Sequence, residues 1–198
     1  MRRLALSVLF AAVGILAVGG IAANSAPPSP KKATVCHWTG KKYVRIAVGA
    51  RSFKAHILHG ADLIPAPQTC PTQVTAAKRG GRALVTRLTG AAERPGPGDP
   101  DGRGSAIIRL NPTQQKVCFY LTASNITLPA AAAHIHIGAS TTSGNVVVTL
   151  VAPNASGVSF GCVSASADVI AAILANPSNY YVNVHTTDFP DGAIRGQL

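Results

Sequence analysis

The sequence predicts a mainly β protein whose larger part is an antiparallel β-sandwich or barrel with one short helix. In residues 83–198, short β-type runs are separated by turn residues at close intervals, which is typical of antiparallel strands. One segment, residues 166–175, instead spaces its apolar residues as a helix does. The preceding part of the chain differs sharply in charge, so we expect it to form a separate small module.

Residues 1–25 predict an export signal. Arg2 and Arg3 give a positive start, an uncharged stretch follows, and small residues and prolines come next. We expect cleavage between about residues 23 and 26. The alternative is an uncleaved amino-terminal anchor, because the apolar stretch is longer than most signal cores. In both cases the sequence predicts a secreted, periplasmic or cell-envelope protein.

A small basic module is expected over residues 33–70, followed by a linker over residues 71–82. The net charge is +11, and between residues 27 and 87 eleven lysines and arginines face a single acid, Asp62. An exported chain rarely meets DNA, so we predict no nucleic-acid partner. Residues 31–54 and 78–87 could attract an anionic envelope polymer or lipid surface, and the alternative is a merely solubilising surface.

Four cysteines in an exported chain predict disulfides, with three connectivities possible in principle. The break in composition favours one bridge in each module, Cys36–Cys70 and Cys118–Cys162. In the front module, the alternative to the first bridge is a zinc cluster in which Cys36 and Cys70 are joined by His37, His56 and His59. His56 and His59 would share one face of a helix.

The elements of the larger module follow from its run of β-type and turn residues. Gly, Pro and Asp crowd residues 90–104, which predicts a long surface loop, and residues 111–115 predict a hairpin turn. Ser164 or Ser166 can cap the helix, and Pro177 stops it. We expect a helix over 166–175 and strands over 83–91, 105–110, 116–121, 132–138, 145–151, 158–163, 180–186 and 193–198.

His134 and His136 occupy alternate positions of one predicted strand. Side chains alternate between the two faces of a strand, so both imidazoles project from one side. The apolar residues between and beside them, Ala133, Ile135 and Ile137, then project toward the core. The sequence therefore places two histidines next to each other on the non-core face of a sheet.

His185 ends a second predicted strand with the same parity. Val182 and Val184 take its apolar face, whereas Asn183 and His185 take the other. Imidazole is a common ligand of copper and zinc, and three such ligands leave an open coordination position. We therefore predict a metal site, with copper as its candidate cofactor. The alternative is that these histidines are polar residues hydrogen-bonded to loops.

Several motifs in the larger module resemble the CHRD domain, which was first described in chordin and is also found in exported bacterial proteins. The resemblance covers about residues 83–198 and implies a Greek-key β-sandwich of the immunoglobulin-like or superoxide-dismutase-like kind. The usual pair of cysteines of this family is matched by Cys118 and Cys162. The matching segments are residues 88–95 (LTGAAERP), 133–136 (AHIH), 144–148 (GNVVV), 181–186 (YVNVHT) and 192–198 (GAIRGQL).

Two further resemblances concern possible sites. The three predicted ligands look like three of the four copper ligands of Cu/Zn superoxide dismutases, although the bridging histidine and the zinc loop have no match. Arg195 is similar to the arginine that guides an anion to copper in those enzymes. Residues 35–46 and 55–62 resemble a short motif of extracellular bacterial proteins that usually ends in His-Gly-Asp. Here Ala61 interrupts this ending, so we assign Asp62 no role.

Two functions remain open from the sequence. The first is a non-enzymatic binding or structural module of the cell envelope or extracellular space. The second is a copper-binding, superoxide-dismutase-like redox protein that uses His134, His136 and His185. No residue pattern of a nucleophilic enzyme is present, because no Gly-x-Ser-x-Gly elbow frames a serine. We therefore name no catalytic residue.

Overall fold

The computed structural model describes residues 28–72 and 83–198. The predicted export signal and most of the predicted linker lie outside these described residues. Within the two described ranges, no helix is long and apolar enough to cross a membrane.

Ten strands and two α-helices form the described part of the chain, together with two short 3₁₀ turns. The front region holds a hairpin of two strands followed by a helix. Eight strands and the second helix follow it. The bounds are β1 (Ala33–Trp38), β2 (Tyr43–Val48), α1 (Ala50–Leu58), β3 (Ala83–Thr89), β4 (Arg103–Asn111), β5 (Lys116–Ser124), β6 (Ala132–Ile137), β7 (Val146–Leu150), β8 (Val158–Ser164), α2 (Ala167–Ala175), β9 (Tyr180–His185) and β10 (Ile194–Gln197).

The larger region is an antiparallel β-sandwich, as the sequence predicts. Its strands are ordered β7-β6-β9-β10-β3-β4-β5-β8, and each neighbouring pair is antiparallel. Apolar side chains from both halves of this order meet in one buried core, to which α2 adds Ile170 and Ile173. The helix begins after Ser166, whose side chain accepts a hydrogen bond from the N–H of Val169.

The front region packs on the outer face of the sandwich. A second apolar cluster joins residues of β1, β2 and α1 to residues of β4, β5 and β8. Phe53 of α1 is fully buried, and its ring centre lies 5.3 Å from that of Phe160. Arg109 of β4 donates from its guanidinium to the carbonyl oxygens of His56 at 3.2 Å and His59 at 3.1 Å. The basic module and the sandwich therefore share a core.

Both disulfides form as predicted. Cys36 is bonded to Cys70 in the front region, and Cys118 is bonded to Cys162 in the sandwich. The second bridge joins directly opposed residues of neighbouring strands β5 and β8. In the front region, Cys36 also pairs through its backbone with Leu63, with both hydrogen bonds at 3.1 Å. This pairing holds the loop after α1 against β1.

Candidate metal centre

The structure brings His134, His136 and His185 together on the outer face of the sandwich. The first two lie on β6 and the third ends β9, and the two strands pair with Ala132 opposite His185 and His134 opposite Asn183. Each ring offers one nitrogen to the group, and these nitrogens all lie within 4.8 Å of one another. Strand pairing alone thus assembles the three predicted ligands.

The core side of these strands matches the predicted alternation with one exception. Ile135, Val182 and Val184 are fully buried in the sandwich core. The prediction for Ile137 is wrong, because this side chain is 45% exposed. A bulge separates Ile135 from His136 in the pairing with β7, and β6 ends one residue later, beyond that pairing.

Loop carbonyl groups fix the orientation of two rings. His136 donates from Nδ1 to the carbonyl of Gly144 at 2.8 Å, and His185 donates from Nδ1 to the carbonyl of Pro190 at 2.9 Å. A carbonyl can only accept, so Nδ1 carries the hydrogen in both rings and Nε2 carries a lone pair. His136 Nε2 is buried and has no hydrogen-bond partner among the described residues. The hydrogen bonds from Nδ1 to loop carbonyls are of the kind that orients a histidine whose other nitrogen binds a metal.

The third ring completes a compact set of donors. His134 Nδ1 lies 3.1 Å from His185 Nε2, and Nε2 accepts a hydrogen bond from it because its own ring carries the hydrogen on Nδ1. Asn183 Oδ1, which is itself an acceptor, also lies 3.1 Å from His185 Nε2. Four ligands at about 2.0–2.1 Å from a tetrahedral ion are about 3.3 Å apart. Without an ion the two rings share a hydrogen bond. For both nitrogens to face one ion, the rings would have to turn away from this hydrogen bond.

All three imidazoles are held in the neutral form that binds metals. Burial, together with the neighbouring rings of His185 and His136, lowers the pKa of His134 to about 4. Burial also lowers the pKa of His136, although the Gly144 carbonyl and the Asn183 side chain partly oppose it. It likewise lowers the pKa of His185, against the opposing effects of the Pro190 carbonyl and the Asp191 carboxylate. Because protonation would block a ligand nitrogen, a neutral cluster is ready to coordinate at neutral pH.

An aromatic ring and a buried arginine support His136 from behind. The rings of His136 and Tyr181 stack with their centres 4.8 Å apart and their planes 8° apart. The guanidinium of Arg195 lies 3.4 Å from the centre of the same tyrosine ring and donates to the carbonyls of Ala139 at 2.7 Å and Thr142 at 2.8 Å. Arg195 is only 1% exposed. These contacts make it a positioning residue, and its anion-guiding role stays a prediction.

The loop that carries Gly144 needs a glycine at this position. A Cβ there would lie 1.7 Å from the carbonyl oxygen of Ile137. The Gly144 N–H donates to the Tyr181 hydroxyl at 3.2 Å, while its carbonyl accepts from His136. Close backbone approach therefore delivers the contact that sets the His136 tautomer.

The zinc cluster with cysteine ligands is wrong, because Cys36 and Cys70 are joined in a disulfide. The three histidines of that alternative nevertheless come together around Asp62, a residue to which the sequence assigned no role. Sequence reasoning missed this carboxylate because Ala61 interrupts the expected His-Gly-Asp ending. The one available signal was that Asp62 is the single acid of a strongly basic region.

Fold and site together define a disulfide-bonded β-sandwich protein with a histidine cluster on its outer face. The family model of the CHRD domain matches residues 84–198, more than half of the chain. The chain therefore belongs to the CHRD domain family. No curated protein and no solved structure matches it. Its domain type and its disulfides are consistent with an extracellular or envelope protein.

Proposed function

We propose that this protein is an extracellular or envelope metal-binding module that holds copper through His134, His136 and His185. The observation that carries the proposal is the buried Nε2 atom of His136, which has no hydrogen-bond partner among the described residues. Leaving a buried nitrogen unpaired costs free energy. Because two other imidazoles lie next to it, a cation bound between the three rings would compensate this cost. A bound cation would satisfy all three nitrogens at once.

The donor set favours copper. Among the described residues, only imidazoles contribute ligand atoms to this cluster, and no carboxylate or thiolate belongs to it. Imidazole suits both copper and zinc, and Cu²⁺ binds a given nitrogen site more tightly than Zn²⁺. Three protein ligands leave a coordination position open, where bound copper would supply Lewis acidity and one-electron redox chemistry. The proposal is confined to binding, because Arg195 is engaged with loop carbonyls.

Copper titration of the full chain tests this proposal, with both disulfides intact. We expect the His134→Ala variant to bind one equivalent of Cu²⁺ less than the parent chain. Its electron paramagnetic resonance spectrum should also lose the nitrogen couplings of the three-imidazole centre. Thr149→Ala is the matched control, because Thr149 is exposed and lies opposite His134 on β7. Equal copper content and equal spectra in both variants would refute the proposal.

A second candidate function is attraction to an anionic envelope surface. Seven exposed lysines and arginines lie between residues 31 and 54, whereas the single acid of the front region, Asp62, is fully buried. The front region therefore presents mainly positive charge to solvent. Binding to vesicles with anionic headgroups should weaken with salt and with Lys41→Glu plus Lys42→Glu. Equal binding to neutral and anionic vesicles would refute this candidate.

A further inference from the structure

The front region contains a second convergence of potential metal ligands, which is separate from the sandwich cluster. His37 lies on β1, His56 lies on α1, and His59 caps the carboxyl end of that helix. Asp62 follows in the loop that the backbone pairing of Cys36 with Leu63 fixes against β1. One ligand atom from each of the four residues lies within 4.8 Å of those from the others. Three separate segments thus deliver their polar groups to one point.

One oxygen of Asp62 is the centre of this convergence. Asp62 Oδ2 lies 3.2 Å from His37 Nδ1 and 3.1 Å from His59 Nε2, and it also contacts His56 Nδ1. The other oxygen, Oδ1, accepts a hydrogen bond from the backbone N–H of Trp38 at 2.8 Å and lies 3.1 Å from His37 Nδ1. Oδ2 therefore contacts all three imidazoles, whereas Oδ1 is held by the backbone and shares the ring of His37 with Oδ2. Oδ2 is thus the oxygen that is placed to act as a ligand.

We propose that His37, His56, His59 and Asp62 form a closed, four-ligand zinc site. Three nitrogens and one oxygen match the tetrahedral coordination that Zn²⁺ prefers at structural sites. Distances of 3.1–3.2 Å between Asp62 Oδ2 and two of the ring nitrogens are close to the ~3.3 Å edge of such a tetrahedron. The carboxylate supplies the negative charge that the sandwich cluster lacks.

The environment of the site suits a structural ion. The side chain of Asp62 is fully buried and that of His56 is 13% exposed, whereas that of His59 is 43% exposed. The half-exposed ring of His59 provides an entry path for zinc from solvent, and the carboxylate of Asp62, which balances part of the charge of the ion, is shielded from water. Arg109 of the sandwich donates to the carbonyls of both His56 and His59. Zinc at this point would join β1, α1 and the following loop next to the sandwich.

Asp62 could instead serve only as the acceptor of histidine hydrogen bonds. Burial disfavours its charged form, but hydrogen bonds from Trp38, His56 and His37 outweigh this effect, so its pKa lies below the usual range. A hydrogen-bonded hub and a zinc site differ in one measurable respect. The hub binds no ion and is indifferent to chelators, whereas the zinc site takes up one equivalent of zinc.

Zinc titration of the full chain in a His134→Ala plus His185→Ala background distinguishes these two cases. This background removes sandwich ligands, so failure of the copper proposal cannot affect the result. We expect one equivalent of zinc to bind. Asp62→Asn should weaken binding more than about 100-fold, because outer-shell changes alone cost about 10–100-fold. Asp168→Asn, at an exposed aspartate of α2, is the matched control and should leave affinity unchanged.

A milder variant guards against loss of folding. His59→Gln changes the most exposed ligand, so the chain should keep its circular dichroism spectrum. With Co²⁺ as the probe, the parent background should show the visible absorption of a tetrahedral centre, and His59→Gln should lose it. No uptake of zinc by the parent background would overturn the proposal. Unchanged zinc affinity in both Asp62→Asn and His59→Gln would overturn it as well.

Discussion

The front region and the sandwich each gather three histidines, and together they account for all six histidines of the chain. The charged groups within the two clusters differ. In the front region the rings surround a fully buried carboxylate, Asp62. In the sandwich, no carboxylate of a described residue joins the three rings as a potential ligand. Burial, helped by the guanidinium of Arg195, lowers the pKa of His136, and the nearby carboxylate of Asp191 acts only on His185. The same ligand type is therefore set in two electrostatic environments.

This difference determines what each cluster can do with a cation. A buried carboxylate balances part of the ion's charge and completes four ligands, which favours a retained structural ion. A cluster of three neutral rings leaves the charge uncompensated and one position open, which favours exchange of an external ligand. We therefore assign stability to the front cluster and ligand chemistry to the sandwich cluster. The following predictions test this division.

The largest effect is expected where the two regions share a core. Phe53 is fully buried against Phe160, so Phe53→Ala should lower the free energy of unfolding by about 3–5 kcal/mol. Trp38 is the one tryptophan of the chain and reports on the front region, whereas far-UV circular dichroism reports mainly on the sandwich strands. Both signals should shift together in urea, because the apolar cluster that the two regions share couples their unfolding.

The control for this change is Val85→Ala, since Val85 is 62% exposed and its truncation should cost less than about 0.5 kcal/mol. A shift of the tryptophan signal alone would show that the front region unfolds independently. In that case, the comparison would concern two separate domains rather than two parts of one cooperative structure.

Removal of zinc should give the next largest effect. At a free zinc concentration of about 100 times the Kd, binding contributes about 2.7 kcal/mol to the free energy of unfolding. A chelator should therefore lower the stability of the His134→Ala plus His185→Ala chain by about this amount, as measured by thermal or urea unfolding. The same treatment should leave Asp62→Asn unchanged. Equal losses in both chains would contradict the assignment of a structural ion to the front cluster.

The sequence predicted features that depend on local order. Alternation along β6 and β9 predicted that His134, His136 and His185 share a face, and the structure places their rings together there. The strands and α2 lie close to their predicted positions because turn residues and a helix cap mark their ends. The strand predicted over residues 83–91 ends at Thr89, where a 3₁₀ turn begins.

Features that depend on contacts between distant residues could not be predicted in this way. Asp62 meets His37 because Cys36 and Leu63 pair through their backbones. No spacing within residues 55–62 reveals this pairing. The carbonyl of Gly144 orients His136 only because the loop passes within contact distance of Ile137. The packing of α1 on the sandwich likewise depends on side chains far apart in the chain.

A third prediction compares the buried carboxylates of the two regions. Glu93 of the sandwich is 2% exposed, and its Oε1 has no hydrogen-bond partner among the described residues. Burial raises its pKa to about 7, although Arg195 and Arg94 partly oppose this. Between pH 4.5 and 7 the folded state then holds more protons than the unfolded state, so stability falls as pH rises.

The expected loss from Glu93 over this interval is about 2–3 kcal/mol. Glu93→Gln cannot titrate, so its stability relative to the parent chain should rise by this amount from pH 4.5 to 7.5. Urea unfolding at several pH values measures this difference, and contributions from the histidines cancel between the two chains. A constant difference across this range would show that folding does not raise the pKa of Glu93.

The smallest effect is expected from Arg195→Lys, which tests whether the sandwich cluster depends on its support. Lysine keeps the positive charge, but it lacks the planar guanidinium group of arginine. It therefore cannot stack on the ring of Tyr181 and donate to the carbonyls of Ala139 and Thr142 at the same time. The ring of His136 would then lose a fixed neighbour, and outer-shell changes of this kind cost about 10–100-fold in metal affinity. We expect copper affinity to fall within this range while zinc affinity at the front cluster stays constant. If copper affinity were unchanged, the loop carbonyl of Gly144 would suffice to hold His136, and the charge of Arg195 rather than its shape would be its contribution to the site.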